Sequence, residues 1–275
     1  MEAILEYYLE DGHLENINNY TNDTKEKERV IYEVIRVINK VPLFYEDHIK
    51  RLESSFRLME KPFSYKYDKI KDYLIRLIHA NNLEYGNIKL TFDIKTDTMK
   101  VFTIKHNYPR DDMYKNGVET ILYHGERVNP NAKVVDSNFR EKVTDEIIKA
   151  NAFEAILVNS NGFITEGSKS NIFMIKEGNL YTSPLEDVLP GVTRGRIISL
   201  AKNLGITFEE KKINFNDLKE IDAMFISGTS PKILPISKVD DINLNIENEI
   251  MRKLIKEFDE EIKLYVEKFR CWYAN

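Results

Sequence analysis

The chain has 275 residues, 42% of them hydrophobic and 31% charged, with 40 basic against 45 acidic side chains and a net charge of −5. That balance describes a globular protein with a sizeable core, in one large domain or two modest ones, and the scatter of both signs argues against a broad nucleic-acid footprint. No apolar run reaches the ~20 residues needed to span a bilayer, Met1-Glu2-Ala3 lacks a signal peptide's basic and then apolar layout, and the lone Cys271 excludes an internal disulfide or a cysteine-based metal cluster, so a cytoplasmic protein is expected.

Residues 29–39 carry β-branched and alternating apolar positions (Val30, Tyr32, Val34, Ile35, Val37, Ile38) and predict a strand that turns near Asn39-Lys40. Ile49, Leu52, Phe56 and Met59 then recur at three and four residues, the period of an amphipathic helix over 47–59, and a second helix is expected at about 67–81. The stretches 88–94 and 99–104 predict a hairpin. Polar residues with Pro109 across 106–116 mark a linker, so the expected division is a small N-terminal α/β domain over 1–109, a linker over 110–116 and a larger domain over 117–275.

In the larger part, Phe139, Val143 and Ile147 share one stripe of a helix over 139–150, with Ser137 or Asn138 available as N-cap. The strand 155–158 meets 163–164 through Asn161-Gly162, a dipeptide suited to positive φ, and 172–175 and 180–182 repeat the arrangement around Gly178-Asn179. A helix over 193–203 follows Pro190-Gly191 and stops at Gly205, which suits the C′ position. Ile250, Leu254, Phe258, Ile262, Tyr265 and Phe269 line one side of a long closing helix, read as packed on the core.

Four polar features interrupt this frame, and each alone has a purely structural explanation. Glu166-Gly-Ser-Lys-Ser-Asn-Ile-Phe173 is a polar turn between apolar strands, where a glutamate is usually solvated. Leu189-Pro-Gly-Val-Thr-Arg194 opens a helix, whose N–H groups and dipole suit a phosphate, although Pro and Gly precede many helices. Phe225-Ile-Ser-Gly-Thr-Ser-Pro231 runs a strand into a small-residue loop that suits another phosphate oxygen or a plain turn. His48 and Arg51 lie three apart on one helix face, as surface charges also do.

Their order and spacing point further. Asn129-Pro-Asn-Ala-Lys133, a helix, Glu-Ala-Ile-Leu at 154–157, Asn161-Gly162 and Glu166-Gly-x-x-x-Asn-Ile-Phe173 together resemble the signature of the class IV aminotransferases. Leu189-Pro-Gly-Val-Thr-Arg194, Ser227-Gly-Thr229 and Leu234-Pro-Ile236 match its later motifs, and Tyr32-Glu-Val-Ile-Arg36 with His48-x-x-Arg51-Leu52-x-x-Ser55 match its N-terminal pair. The group includes branched-chain and D-amino-acid aminotransferases and aminodeoxychorismate lyases, and the resemblance covers residues 29–265.

What it implies is a fold type IV pyridoxal-phosphate enzyme, α/β (α+β) in class, whose larger C-terminal domain is a pseudo-barrel. The resemblance makes Lys133 the Schiff-base lysine and Glu166 the partner of the cofactor's ring nitrogen, so that the ring can accept carbanion charge. Arg51, Val192, Thr193 and Thr229 would hold the phosphate, with Ser168 also in the cofactor site. It further implies a homodimer that transfers the amino group of a small amino acid to a 2-oxo acid. A lyase releasing pyruvate from aminodeoxychorismate, and a homologue that binds the cofactor without turnover, are the alternatives. The chain departs from the pattern at Phe139, where branched-chain members carry a tyrosine and Asn138 would have to stand in, before Tyr32, and at Lys232.

Overall fold

Strand alternation builds two sheets, each within its own compact unit: residues 1–107, 132–136 and 261–275 form the first, and 108–131 with 137–260 the second. The structure is a computed structural model and describes residues 2–21, 30–127, 130–134 and 137–273. Asn129, the segment preceding Val30 from Lys25 onward and the side chain of Ser137 lie outside the described residues.

The first unit contains β1 (Ala3–Glu10), β2 (His13–Asn16), β3 (Val30–Ile38), β4 (Val41–Pro42), β5 (Tyr85–Asp93) and β6 (Thr98–Ile104), with helices α1 (Tyr45–Leu58) and α2 (Tyr67–Ala80) between β4 and β5. The strands pair antiparallel in the order β2-β1-β6-β5-β3-β4. Period-two alternation puts Ile31, Ile35 and Val37 of β3 in one cluster with Ile49, Leu52 and Phe56 of α1 and Ile70, Leu74 and Leu77 of α2. In the β5–β6 hairpin the Asp93 carboxylate accepts the N–H groups of Lys95 and Thr96, the local hydrogen bonding that makes aspartate a turn residue.

The second unit runs α3 (Asp111–Asn116), β7 (Val118–His124), α4 (Ser137–Lys149), β8 (Glu154–Val158), β9 (Ile164–Gly167), β10 (Asn171–Lys176), β11 (Asn179–Thr182), α5 (Val192–Asn203), β12 (Phe208–Glu210), β13 (Ala223–Gly228), β14 (Lys232–Val239), β15 (Ile242–Asn243) and α6 (Glu249–Tyr273), whose residues from 261 onward belong to the first unit. Its strands follow the path β12-β11-β10-β13-β14-β7-β8-β9, with β15 on β14. β9 also pairs back onto β10 at Glu166 and Asn171. Six strands therefore close into a ring, the barrel that the sequence resemblance implies.

Two local readings shift. The polar stretch after His106 holds α3 rather than only irregular chain. The β10–β11 hairpin turns at Glu177-Gly178, both at positive φ, and not at Gly178-Asn179. No described helix is long and apolar enough to cross a membrane.

On the β10–β13 pair, on the face opposite Ile172, Met174, Met224 and Ile226, Phe173 and Phe225 stack with centroids 5.0 Å apart and an 11° interplanar angle, both fully buried. Phe173→Ala removes the ring and leaves a cavity that neighbours on two strands cannot fill. It is expected to lower stability by about 3–5 kcal/mol, read as a fall in the urea midpoint at unchanged slope.

Candidate active site

The predicted site residues fall into two sets. Lys133 and Arg51 belong to the first unit, and Glu166, Ser168, Val192, Thr193 and Thr229 to the second.

In the first unit, Lys133 lies on a short return of the chain to the edge of β3. Its carbonyl accepts the Tyr32 N–H at 3.1 Å, and Ile31 and Val134 form an isolated bridge. Its own N–H donates to the Ser55 hydroxyl at 3.4 Å, and that hydroxyl donates to the Arg51 carbonyl at 3.1 Å. The Lys133 ammonium lies 4.8 Å from the centroid of the Tyr32 ring, whose quadrupole attracts it, and Lys89 lies 5.1 Å from the same ring. Helix periodicity explains the supporting residues: His48, Arg51 and Ser55 recur at three and four along the buried face of α1.

Arg51 is buried. Its Nε donates to Glu33 Oε2 at 2.9 Å and its Nη2 to Glu33 Oε1 at 2.5 Å, a side-on fork around a fully buried carboxylate. His48 Nδ1 lies 3.1 Å from the same Oε1. Burial alone would raise the Glu33 carboxyl, but the Arg51 and His48 charges and hydrogen bonds outweigh it and hold it well below the usual carboxylate range. Burial moves His48 down, the Glu33 charge and hydrogen bond oppose that, and the charges of Arg51 and Lys133 add to it. Glu33 was missed in the sequence, although a signal exists: it shares the alternation of Ile31, Ile35 and Val37, and a charge on a buried face requires a partner.

In the second unit, Glu166 lies on β9 and is only 4% exposed. Its Oε2 accepts the Leu189 N–H at 2.9 Å, and its Oε1 accepts from Arg127 Nη1 at 3.2 Å. Arg127, also missed in the sequence, stands with Glu166 on the wall of a cavity of about 360 Å³ that Thr165, Pro130 and Asp187 also line. The carbonyl of Leu189 accepts from the Asn171 side chain at 2.9 Å. Both backbone groups of the residue leading into α5 are thus fixed.

At the start of α5 no side chain caps the helix, and its first turn holds no acidic residue. Gly191 leaves room there for the Asn171 side chain, whose Oδ1 would stand 2.0 Å from a Cβ. Val192 and Thr193 are buried in that first turn. On the neighbouring strand the fully buried Ser227 hydroxyl has no hydrogen-bond partner among the described residues, and Gly228 and Thr229 follow it. Helix N–H groups without a cap, a partnerless buried hydroxyl and two threonines fit the phosphate of pyridoxal phosphate. Ser168 is otherwise engaged, its hydroxyl donating to Glu154 at 3.4 Å.

The departures from the family pattern also find places. Phe139 packs edge-on against Tyr123 in a small core cluster with Val143 and Leu157, and Asn138 is exposed on the first turn of α4. Lys232 pairs with Asp259 at 2.5 Å and lies over the Tyr114 ring, so its charge is taken up locally.

A closed mixed barrel in one unit and an antiparallel sheet under two helices in the other define the fold type IV class. The solved structure of the branched-chain amino acid aminotransferase of Escherichia coli shares this fold with a TM-score of 0.85 at 23% identity, over 94% of this chain and 95% of that one. A family model described as amino-transferase class IV matches residues 30–239. Aligned by sequence, the chain is 27% identical over 224 residues to a D-alanine aminotransferase of Bacillus licheniformis, covering 76% of this chain and 78% of that protein. It is 30% identical over 220 residues to a branched-chain-amino-acid aminotransferase of Escherichia coli, covering 73% and 71%. The chain belongs to the class IV aminotransferase family of pyridoxal-phosphate-dependent enzymes.

Glu33→Gln leaves the Arg51 guanidinium buried without its counter-charge and is expected to destabilise the protein by about 3–5 kcal/mol at pH 7. The depressed carboxyl contributes fully above its ordinary value of 4.5, and that contribution fades as the pH falls toward the folded-state value. Urea titrations of wild type and variant should therefore converge as the pH is lowered below about 4.

Proposed function

We propose that this chain is an aminotransferase moving the amino group of a small amino acid to a 2-oxo acid, with Lys133 as its catalytic base and Glu166 as the partner of the cofactor's ring nitrogen. The observation that carries this reading is Glu166: a buried carboxylate oriented by the Leu189 N–H and by Arg127, beside a helix start suited to phosphate.

Pyridoxal phosphate supplies, when bound, an aldehyde that attaches to amines and a ring that accepts carbanion charge. Lys133 holds the aldehyde carbon and moves the proton that leaves the substrate's Cα. Glu166 keeps the proton on the ring nitrogen, and Arg127, 3.2 Å from its Oε1, holds that carboxylate in position. Arg51, the N–H groups of Val192 and Thr193, and the hydroxyls of Thr193 and Thr229 bind the phosphate. Ser168 serves the cofactor through the turn it shares with Glu166. Tyr32 and Ser55 orient Lys133 by holding its backbone. Membership of the family supports a cytoplasmic homodimer.

Purified protein is expected to show the visible absorbance of bound cofactor, and Lys133→Ala to abolish it and to lower kcat by at least about 10²–10⁴-fold. An unchanged spectrum in that variant would overturn the assignment of Lys133. With an amino donor and 2-oxoglutarate the enzyme should form glutamate. Release of pyruvate from aminodeoxychorismate without any amino acceptor would favour the lyase, and a spectrum that no amino donor alters would favour cofactor binding without turnover.

A further inference from the structure

We infer that Glu154 is a positioning residue for the Glu166 carboxylate, acting by gathering the turn that follows Glu166 onto one buried oxygen. The inference rests on the reading of Glu166 as the ring-nitrogen partner.

Glu154 opens β8 and is 5% exposed. A single oxygen, Oε1, accepts the Lys169 N–H at 2.7 Å, the Ser170 hydroxyl at 3.0 Å and the Ser168 hydroxyl at 3.4 Å. These donors are three consecutive residues of the turn between β9 and β10. The turn is also tied by the Gly167 N–H to the Ser170 carbonyl at 2.8 Å and by the Ser168 N–H to the Ala155 carbonyl at 2.9 Å. Glycine at 167 leaves room for this arrangement, since a Cβ would stand 2.3 Å from the Ser170 hydroxyl and 2.6 Å from Glu154 Oε1 and would displace both.

β9 meets β10 at one pair, Glu166 with Asn171, so the turn decides how the Glu166 side chain is presented. A carboxylate is an expensive way to fill this place. Burial pushes its proton affinity up, and the Lys169 and serine donors oppose that only in part. An apolar residue would pack without that burden but would take this acceptor from the Lys169 N–H and from the buried Ser170 hydroxyl. What the carboxylate adds is a fixed geometry for its neighbour, as outer-shell partners add to metal ligands.

The test compares Glu154→Ala, Glu154→Gln, Glu166→Gln and the Glu154→Ala/Glu166→Gln double variant. It follows the pH titration of the bound cofactor's absorbance, kcat, and hydrogen exchange of the Lys169 amide in cofactor-free protein. Glu154→Ala should shift the titration in the same direction as Glu166→Gln, lower kcat by about 10–100-fold and speed Lys169 exchange. Glu154→Gln retains an acceptor oxygen and should restore most of each. In the double variant the effects should not add, because Glu154 acts through Glu166. Additive effects, a Glu154→Ala variant that loses only thermal stability, or unchanged Lys169 exchange would overturn the inference. If Glu166→Gln itself leaves the titration unmoved, the reading of Glu166 falls and this inference falls with it. Normal behaviour of Glu154→Ala beside a shifted Glu166→Gln removes the inference alone.

Discussion

The barrel closes at one residue pair, and that pair also fixes the chain that leads into α5. Glu166 and Asn171 face each other where β9 meets β10, and their side chains take the two backbone groups of Leu189: the N–H goes to the carboxylate and the carbonyl to the amide. The approach to α5 is thereby hung on the seam of the ring. If the seam opened, the Glu166 carboxylate, the entry to the helix start and the crowded contact at Gly191 would all lose their references together. Strand closure and site geometry are one constraint in this unit, which is why so little irregular chain suffices to set out the site.

The first unit organises charge differently. Glu33, Arg51 and His48 are buried together under a sheet, where unpaired ions are costly, and the fork geometry with two hydrogen bonds is what makes the arrangement tolerable. Replacing a buried ion pair by apolar groups of equal volume is often neutral or stabilising, so stability alone is a poor explanation of their presence. A guanidinium held rigidly by one carboxylate is pre-set in direction, and a pre-set direction is what anion recognition uses. Both units thus place a buried glutamate against a residue or turn of the proposed site, Glu33 on Arg51 and Glu154 on the turn after Glu166.

Periodicity in the sequence locates α1, α2, α5, α6 and most strands of the barrel, because amphipathic spacing and β-branched runs are local signals. Motif spacing locates Glu166 and the start of α5, since a strand, a turn and a helix onset are each legible over a few residues. The partners of those residues are not. Arg127 reaches Glu166 across 39 positions and Glu33 reaches Arg51 across 18, and such pairings depend on strand register and barrel closure that no window of sequence contains. The β10–β11 turn slipped by one residue for a simpler reason: Gly178 was evident, and the neighbour that joins it at positive φ is Glu177, a residue type that rarely adopts that conformation.

The chain leaves and re-enters the first unit twice, so that Ala132–Asp136 and everything from Glu261 onward complete a unit begun at the other end of the sequence. The Tyr265 hydroxyl, for example, accepts the Tyr45 N–H at the start of α1 across 220 positions. In the order of synthesis, then, the first unit's sheet waits for α6, whereas every strand of the barrel precedes that helix. Neither unit exists as an uninterrupted stretch of coding sequence. A single pair of cut points therefore cannot exchange one of them intact, because each exchange would carry or drop a segment of the other unit.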